Sequence, residues 1–267
     1  MSQPNSVDAY SPAEIAQRVE RAGVAKAGLA KIPTLVLAVL AGAFIAFGAM
    51  LYVVVTTDSG LGFGPERLLG GLAFSLGLIL VLVGGAELFT GNSLIVFAWA
   101  DGKITAARLL RNWGLVYFGN FAGATATAFA VHWSGIHGLA DGAVGGTVMR
   151  IAEAKVALSP LEAFVRGILC NVLVCLAVWL CFSARRVTGK ILAIVFPIAG
   201  FVALGFEHSV ANMYIIPAGW LAGSESVTLG GYGANILVVT AGNIIGGGVL
   251  VALVYWLVYG KRLEDTA

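Results

Sequence analysis

Two stretches of this sequence repeat one pattern: GGAELFTGN at residues 84–92 and GFEHSVANM at residues 205–213. Each contains the spacing G-x-E-x-x-x-x-N, at an offset of 120 residues. The shared residues are Gly85, Glu87 and Asn92 in the first copy and Gly205, Glu207 and Asn212 in the second. Both copies lie inside long apolar segments, 68–100 and 191–221. Glycines and a carboxylate in such segments predict helix breaks, which a membrane tolerates only where the backbone is packed in protein or lines a wet cavity.

A second repeat supports the first. Gly119, Asn120 and Gly123 recur as Gly242, Asn243 and Gly246, at an offset of 123 residues. The Gly-x-x-x-Gly spacing favours close approach of two helices. Because each copy has three spans, the second copy enters the membrane from the opposite side. The pattern predicts inverted repeats whose broken helices meet near the midplane, an architecture of transporters and channels.

The composition is that of an integral membrane protein. Of the 267 residues, 59% are hydrophobic and 11% are charged, whereas about a quarter of a typical soluble domain is charged. Apolar segments long enough to span a bilayer lie at about 33–56, 68–100, 112–134, 161–183, 191–221 and 233–259. The predicted fold is therefore all-α and integral to the membrane, with six transmembrane helices arranged as two inverted three-helix repeats, and with the second and fifth spans broken at the midplane.

Charge placement predicts the topology and the domain boundaries. Alternating the loops between two sides puts 12 of the 16 Lys and Arg residues on the side of both termini, which is therefore cytoplasmic. The prediction has a cytoplasmic tail at 1–31 and another at 261–267. The channel domain, 32–260, holds repeats at about 32–134 and 160–259. A capping box from Ser11 to Glu14 starts an amphipathic helix in the first tail. The net charge of +2 predicts no nucleic-acid partner.

Three ionisable residues fall at the predicted breaks, where a charge needs partners. For Glu87 and Glu207 the favoured role is structural: with Asn92 and Asn212 they order the loops, and the carboxylates accept bonds from freed backbone N–H groups. His208 is a candidate site residue, because an imidazole can pass a proton or a hydrogen bond to a weak acid. The alternative for His208 is simple helix packing. Thr90 is a candidate partner for it from the first break.

Motifs for enzymatic chemistry are missing. His132 and His137 have no carboxylate or cysteine set beside them, so no metal site is predicted. The sequence also lacks the P-loop lysine of a nucleotide-driven transporter. We therefore predict a protein that is not an enzyme and that uses no cofactor.

Four segments together resemble the formate/nitrite transporter family, which consists of bacterial pentameric anion channels with an aquaporin-like protomer. They are the two break motifs, the stretch RGILCNVLVCLAVW at 166–179 and the stretch GNIIGGG at 242–248. The resemblance covers the chain from about 33 to 260. An aquaporin itself is disfavoured because neither break carries an Asn-Pro-Ala triplet.

The resemblance implies roles for particular residues. His208 would be the central pore histidine, Thr90 would face it, and Lys155 would supply positive potential in the outer vestibule. Without the resemblance, a solvated surface charge is the favoured interpretation of Lys155. Polar pore-lining groups would be Asn171 and Asn243. Two hydrophobic constrictions, one on each side of the histidine, would be formed by Phe74, Leu78, Leu88, Phe201 and Val174, for which ordinary packing is the alternative.

The function implied is transport of formate, or of a similar small weak-acid anion, across the bacterial inner membrane. Transport would be linked to protons through the histidine, in a homo-oligomer that the resemblance makes a pentamer. Two alternatives stay open. The cargo could be nitrite, hydrosulfide or another small monoacid, or the chain could be a membrane-embedded enzyme or an anion-sensing scaffold.

Overall fold

The computed structural model describes residues 9–260, and every regular element in that range is helical. Residues 1–8 and the predicted C-terminal tail at 261–267 lie outside the described range. The first helix, α1, spans Pro12–Gly28. Its capping box is formed: Ser11 Oγ accepts a bond from Glu14 N at 3.4 Å, and the Glu14 carboxylate accepts one from Ser11 N at 2.8 Å.

The first half of the chain continues with four helices. They are α2 at Lys31–Thr56, α3 at Phe63–Gly84, α4 at Ile95–Ala100 and α5 at Ala106–Trp133. One 3₁₀ turn, Gly91–Leu94, leads directly into α4. The backbone between α3 and this turn is not helical.

The second half follows a short turn at Ile136–Gly138. Its helices are α6 at Ala143–Val156, α7 at Pro160–Ser183, α8 at Val187–Ala203, α9 at Ser209–Leu221 and α10 at Leu229–Ile244. The last helix continues in wider π-type turns, so that one helical rod runs over Leu229–Gly260.

Several helices have the length and apolarity of membrane spans. Within residues 9–260 there are five: α2, α3, α5, α7 and the rod that begins with α10. Two shorter helical stretches, Gly91–Ala100 and Val187–Ala203, are also apolar. Large apolar side chains cover the outside as well; Phe118 is 69% exposed and Phe196 is 74% exposed. An exterior of this kind belongs to a protein surrounded by lipid.

The two halves are packed in the same way. In the first half α2 contacts α3 and α5, and in the second α7 contacts α8 and α10, while α3 against α8 joins the halves. Two glycines make the closest approaches possible. A Cβ at Gly123 would collide with the carbonyl of Val39, and one at Gly246 would collide with the carbonyl of Ile168. These glycines allow helix backbones to touch.

The helix ends before the two motifs also match. Gly85 follows α3 in the left-handed conformation with φ 86°, and Gly205 follows α8 with φ 73°. Each is followed by a backbone bond that spans five residues, from Ala86 N to Val81 O and from Phe206 N to Phe201 O. This closure satisfies the last carbonyls of a helix and turns the chain away from the helix axis.

Candidate functional site

A buried asparagine holds the non-helical segment of the first half. Asn120, on α5, donates from Nδ2 to the carbonyls of Ala38 (2.7 Å) and Glu87 (2.9 Å). Its Oδ1 accepts a bond from Phe89 N at 2.8 Å. All three bonds are buried, so one amide ties a carbonyl of α2 to backbone groups of the non-helical segment.

Asn243, on α10, does the same in the second half. It donates to the carbonyls of Gly167 (2.8 Å) and Glu207 (2.9 Å), and its Oδ1 accepts a bond from Ser209 N at 2.9 Å. The sequence repeat of Asn120 and Asn243 therefore corresponds to one hydrogen-bond frame built twice.

Each motif carboxylate is bound by a lysine and an asparagine. In the first half, Glu87 accepts bonds from Lys26 Nζ at 2.5 Å and from Asn92 Nδ2 at 2.7 Å. Lys26 also donates to Asn92 Oδ1 at 3.1 Å. Lys26 lies on α1, so the amphipathic helix of the N-terminal region is tied to the first break.

In the second half Lys155, on α6, donates to both oxygens of Glu207, at 2.9 and 3.1 Å. Asn212 Nδ2 donates to the same carboxylate at 2.7 Å. The sequence favours backbone N–H groups as partners of Glu87 and Glu207, and the structure corrects this. Lysine side chains arrive from helices far away in the sequence, which local spacing does not reveal.

His208 and Thr90 are brought together between the two frames. Thr90 Oγ1 lies 2.8 Å from His208 Nε2, and both side chains are buried. His208 Nδ1 accepts a bond from Ala211 N at 3.0 Å, at the start of α9. Because Nδ1 is an acceptor, the neutral ring carries its hydrogen on Nε2, facing Thr90.

The two predicted polar lining residues are engaged by protein groups. Asn171 is fully buried and donates from Nδ2 to Asn243 O at 2.6 Å, with longer contacts to Ser93 Oγ and Thr90 O. Asn243 uses its amide in the frame described above. Asn243 holds the backbone on either side of His208, and Asn171 links Asn243 to the segment that carries Thr90. A pore-lining role for either residue stays a prediction.

A cavity of about 260 Å³, here called the His208 cavity, opens beside the imidazole. Phe74 and Phe201 line it with their rings edge to face at a centroid distance of 5.5 Å, and the Phe201 ring stacks on His208 at 5.9 Å. Three other predicted constriction residues are buried in the same apolar core without lining this cavity: Leu78, Leu88 and Val174. Their role in a constriction stays a prediction.

Four basic side chains lie in the rest of the cavity wall, together with Glu207 and apolar residues. Lys155 lines it, and so do three residues that the sequence does not single out: Arg67, Arg150 and Arg166. A signal for them exists in the sequence. The charge bias leaves these four basic residues on the side opposite to the termini, and they all converge on one cavity.

The architecture and site match one known family. A family model described as formate/nitrite transporter matches residues 13–257. The chain belongs to the formate/nitrite transporter family. It is 43% identical to the formate channel FocA of Escherichia coli K12, over 97% of this chain and 98% of that protein.

Solved structures of this family agree with the fold. One described as a pentameric formate channel with formate bound is 41% identical, with a TM-score of 0.80 over 86% of this chain and 97% of the other. Another, described as an FNT family ion channel, is 31% identical, with a TM-score of 0.85 over 92% of this chain and 98% of the other. Members of the formate/nitrite transporter family are transporters and channels, so this chain is a membrane transport protein and not an enzyme.

Proposed function

We propose that this member of the formate/nitrite transporter family moves formate, or a closely similar small weak-acid anion, across the inner membrane of a bacterium. The observation that carries the proposal is the 2.8 Å contact between His208 Nε2 and Thr90 Oγ1, beside a cavity lined by basic side chains. The relatives that are named formate channels, and the similar structure with formate bound, support this choice of substrate.

The proposed architecture has six spans in two inverted repeats, in an aquaporin-like protomer. Spans two and five each combine two helices, α3 with α4 and α8 with α9, and each is broken near the midplane. Both termini are cytoplasmic. The tail at 1–31 precedes a channel domain at 32–260, and five copies assemble as in the similar pentameric channel. The matched frames around Asn120 and Asn243 support the repeat.

Desolvation sets the transport mechanism. An anion that leaves the His208 cavity past Phe74 and Phe201 loses its water, and a bare carboxylate in an apolar slit costs several kcal/mol. Neutral formic acid does not carry this cost. A proton acquired near His208 therefore lowers the barrier, and each formate crosses together with one proton.

The hydrogen-bond pattern suggests how His208 takes part. Its Nδ1 is occupied by the Ala211 N–H, so the ring acts through Nε2 and the Thr90 hydroxyl. Together they offer a hydrogen bond or a relayed proton to a weak acid between the constrictions. Lys155, paired with Glu207, offers its ammonium to the anion at close range and replaces part of its water, and Asn171 and Asn243 keep the surrounding backbone in place.

The test is proton-coupled formate uptake by proteoliposomes. Replacing His208→Phe is expected to lower uptake by roughly 100-fold, the range of a general acid or base, while the oligomer still assembles. Lys155→Ala is expected to lower uptake less. His132→Phe, the same exchange at an exposed position, is the matched control. Undiminished, still proton-coupled flux in His208→Phe would rule out the role of the imidazole.

The identity of the cargo needs its own measurement. An uptake panel with formate, nitrite, hydrosulfide and lactate on the unmodified protein separates the candidates. We expect formate to be taken up fastest. Faster uptake of nitrite or hydrosulfide would keep the mechanism and change the substrate, and turnover of a compound without flux would contradict transport altogether.

A further inference from the structure

Two guanidinium groups meet over a bare glycine in the wall of the His208 cavity. Gly205 has the left-handed conformation and no side chain. A Cβ placed there would lie 2.9 Å from Arg67 Nη2 and 4.0 Å from Arg166 Nη1, so both nitrogens approach the same point. Arg150 lines the same cavity, which therefore holds three guanidinium groups.

Arg67 is positioned by backbone rather than by an acid. Its Nε donates to Ala203 O at 2.9 Å and its Nη2 donates to Val202 O at 3.0 Å. Both carbonyls belong to the end of α8, where the helix dipole favours a cation. The guanidinium is thus fixed at the cavity wall, and within residues 9–260 it forms no ion pair with a carboxylate.

The positive charge of Lys155, the cation expected to attract the anion, is offset by the carboxylate of Glu207. Its ammonium contacts both oxygens of Glu207, and its side chain is only 14% exposed. An anion farther away therefore feels little net attraction from this pair, because the two opposite charges largely cancel. The net positive charge of the cavity must therefore come from the arginines.

Among residues 9–260, none of the ion pairs within 4.0 Å involves the guanidinium of Arg67, Arg150 or Arg166. Two acidic residues lie one helical turn away and are hydrogen-bonded to serines, so their charges act on the arginines without direct contact. Glu153 accepts a bond from Ser224 Oγ at 2.6 Å, and Glu162 accepts bonds from Ser159.

We propose that Arg67, Arg150 and Arg166 form an outer binding subsite for a monocarboxylate, which the anion occupies before it reaches Lys155 and His208. The proposal rests on the proposed transport function and adds a specificity element to it. A carboxylate has two coplanar oxygens, and a guanidinium presents paired donors in one plane. One carboxylate can therefore accept bonds from two of these groups across the space above Gly205.

The chemistry makes the subsite selective. Hydrosulfide is attracted by the charge, but it has no pair of oxygens to match the planar donors. A lysine at these positions would attract any small anion as a point charge. Exchanging an arginine of the subsite for lysine should therefore weaken the binding of formate and leave the binding of hydrosulfide unchanged.

The test uses the variant Arg150→Gln/Arg166→Gln, which removes two charges and leaves Arg67 in its backbone contacts. In proteoliposomes we expect the apparent KM for formate to rise roughly fivefold to tenfold, with little change in the maximal rate. Arg166→Lys should raise the KM for formate and leave that for hydrosulfide unchanged. Arg108→Gln, at an exposed position at the start of α5, is the matched control.

A binding measurement keeps the subsite testable without transport. Sodium formate should raise the thermal unfolding midpoint of the detergent-solubilised protein above its value in equal sodium chloride, and the double variant should lose this difference. An unchanged KM with an unchanged midpoint shift overturns the subsite. A lower maximal rate at unchanged KM also overturns it. If the unmodified protein binds formate but does not transport it, the transport function fails and the subsite stands.

Discussion

The two breaks, the non-helical segments around Glu87 and Glu207, are built alike. They differ in the residue that follows the carboxylate. Asn120 and Asn243 make the same three backbone bonds, and a lysine, a glutamate and an asparagine surround each break. At the equivalent position, however, the first half has Leu88 and the second has His208. The difference teaches that one hydrogen-bond frame is built twice, while the imidazole is present in one copy only.

The lysine clusters differ too. Lys26 bridges Glu87 and Asn92 and is 32% exposed along its side chain. Lys155 instead contacts both oxygens of Glu207 and is 14% exposed. The second cluster is therefore drier, and an uncompensated charge there should cost more free energy than in the first.

The largest predicted losses of stability concern the glycines at which helices of each half touch. We expect Gly123→Ala and Gly246→Ala each to cost about 3 kcal/mol or more, because the new methyl group would press on a backbone carbonyl of the neighbouring helix. The measurement is the thermal unfolding midpoint, together with the yield of assembled protein. Similar losses at the two positions would sharpen the equivalence of the halves.

Controls for this pair lie in the same helices. Gly114 in α5 and Gly233 in α10 have no atoms within 4 Å of an added Cβ, so alanine there should be neutral or slightly stabilising. A large loss at one close-contact glycine and none at the other would break the comparison.

The next largest effect concerns the buried carboxylates. Glu207→Gln leaves Lys155 without its counter-ion, and we expect a loss of about 2–3 kcal/mol in unfolding free energy. Glu87→Gln should cost about 1 kcal/mol, because Lys26 is more exposed and is screened by solvent. Chemical or thermal unfolding of the two variants side by side gives the ratio of their losses in unfolding free energy.

A double variant separates charge from packing. Glu207→Gln/Lys155→Met removes both charges, so it should recover most of the stability lost in Glu207→Gln. If the double variant is as unstable as the single one, the loss comes from the amide geometry and not from an unpaired ammonium.

The smallest predicted effect is a pH dependence in the packing of α1. It should set α1, which carries Lys26, apart from α6, which carries Lys155. Burial raises the pKa of Glu20 above its ordinary value of 4.5, and the nearby Asp101 raises it further, against the opposing charges of Lys103 and Arg21. A raised carboxyl pKa means that the packed state of α1 favours the protonated form. Packing of α1 should therefore be tightest at low pH and weaken as the pH rises through that pKa.

Hydrogen exchange of α1, corrected for its intrinsic pH dependence, measures this change, with α6 as the internal reference. In Glu20→Gln the dependence on pH should flatten, because the amide mimics the protonated carboxyl. An identical slope in this variant would assign the pH dependence to another group.

Much of the site could be predicted from local pattern. The repeated motifs located His208 and its neighbour Thr90 because glycines, carboxylates and an imidazole are rare inside apolar segments. The capping box predicted the start of α1 at Pro12. The partners of these residues could not be predicted, because nothing in the local sequence sets Lys26 or the arginines of the cavity apart from other basic residues.

The sequence by itself determined the helical membrane class, the internal repeat and the family, because hydropathy, spacing and motif are local properties of the chain. Only the tertiary structure decided which lysine meets which glutamate, that Nε2 of His208 faces the Thr90 hydroxyl, and that three arginines share one cavity. These facts depend on helices 50 to 140 residues apart packing together, and no local pattern encodes the distance between their side chains.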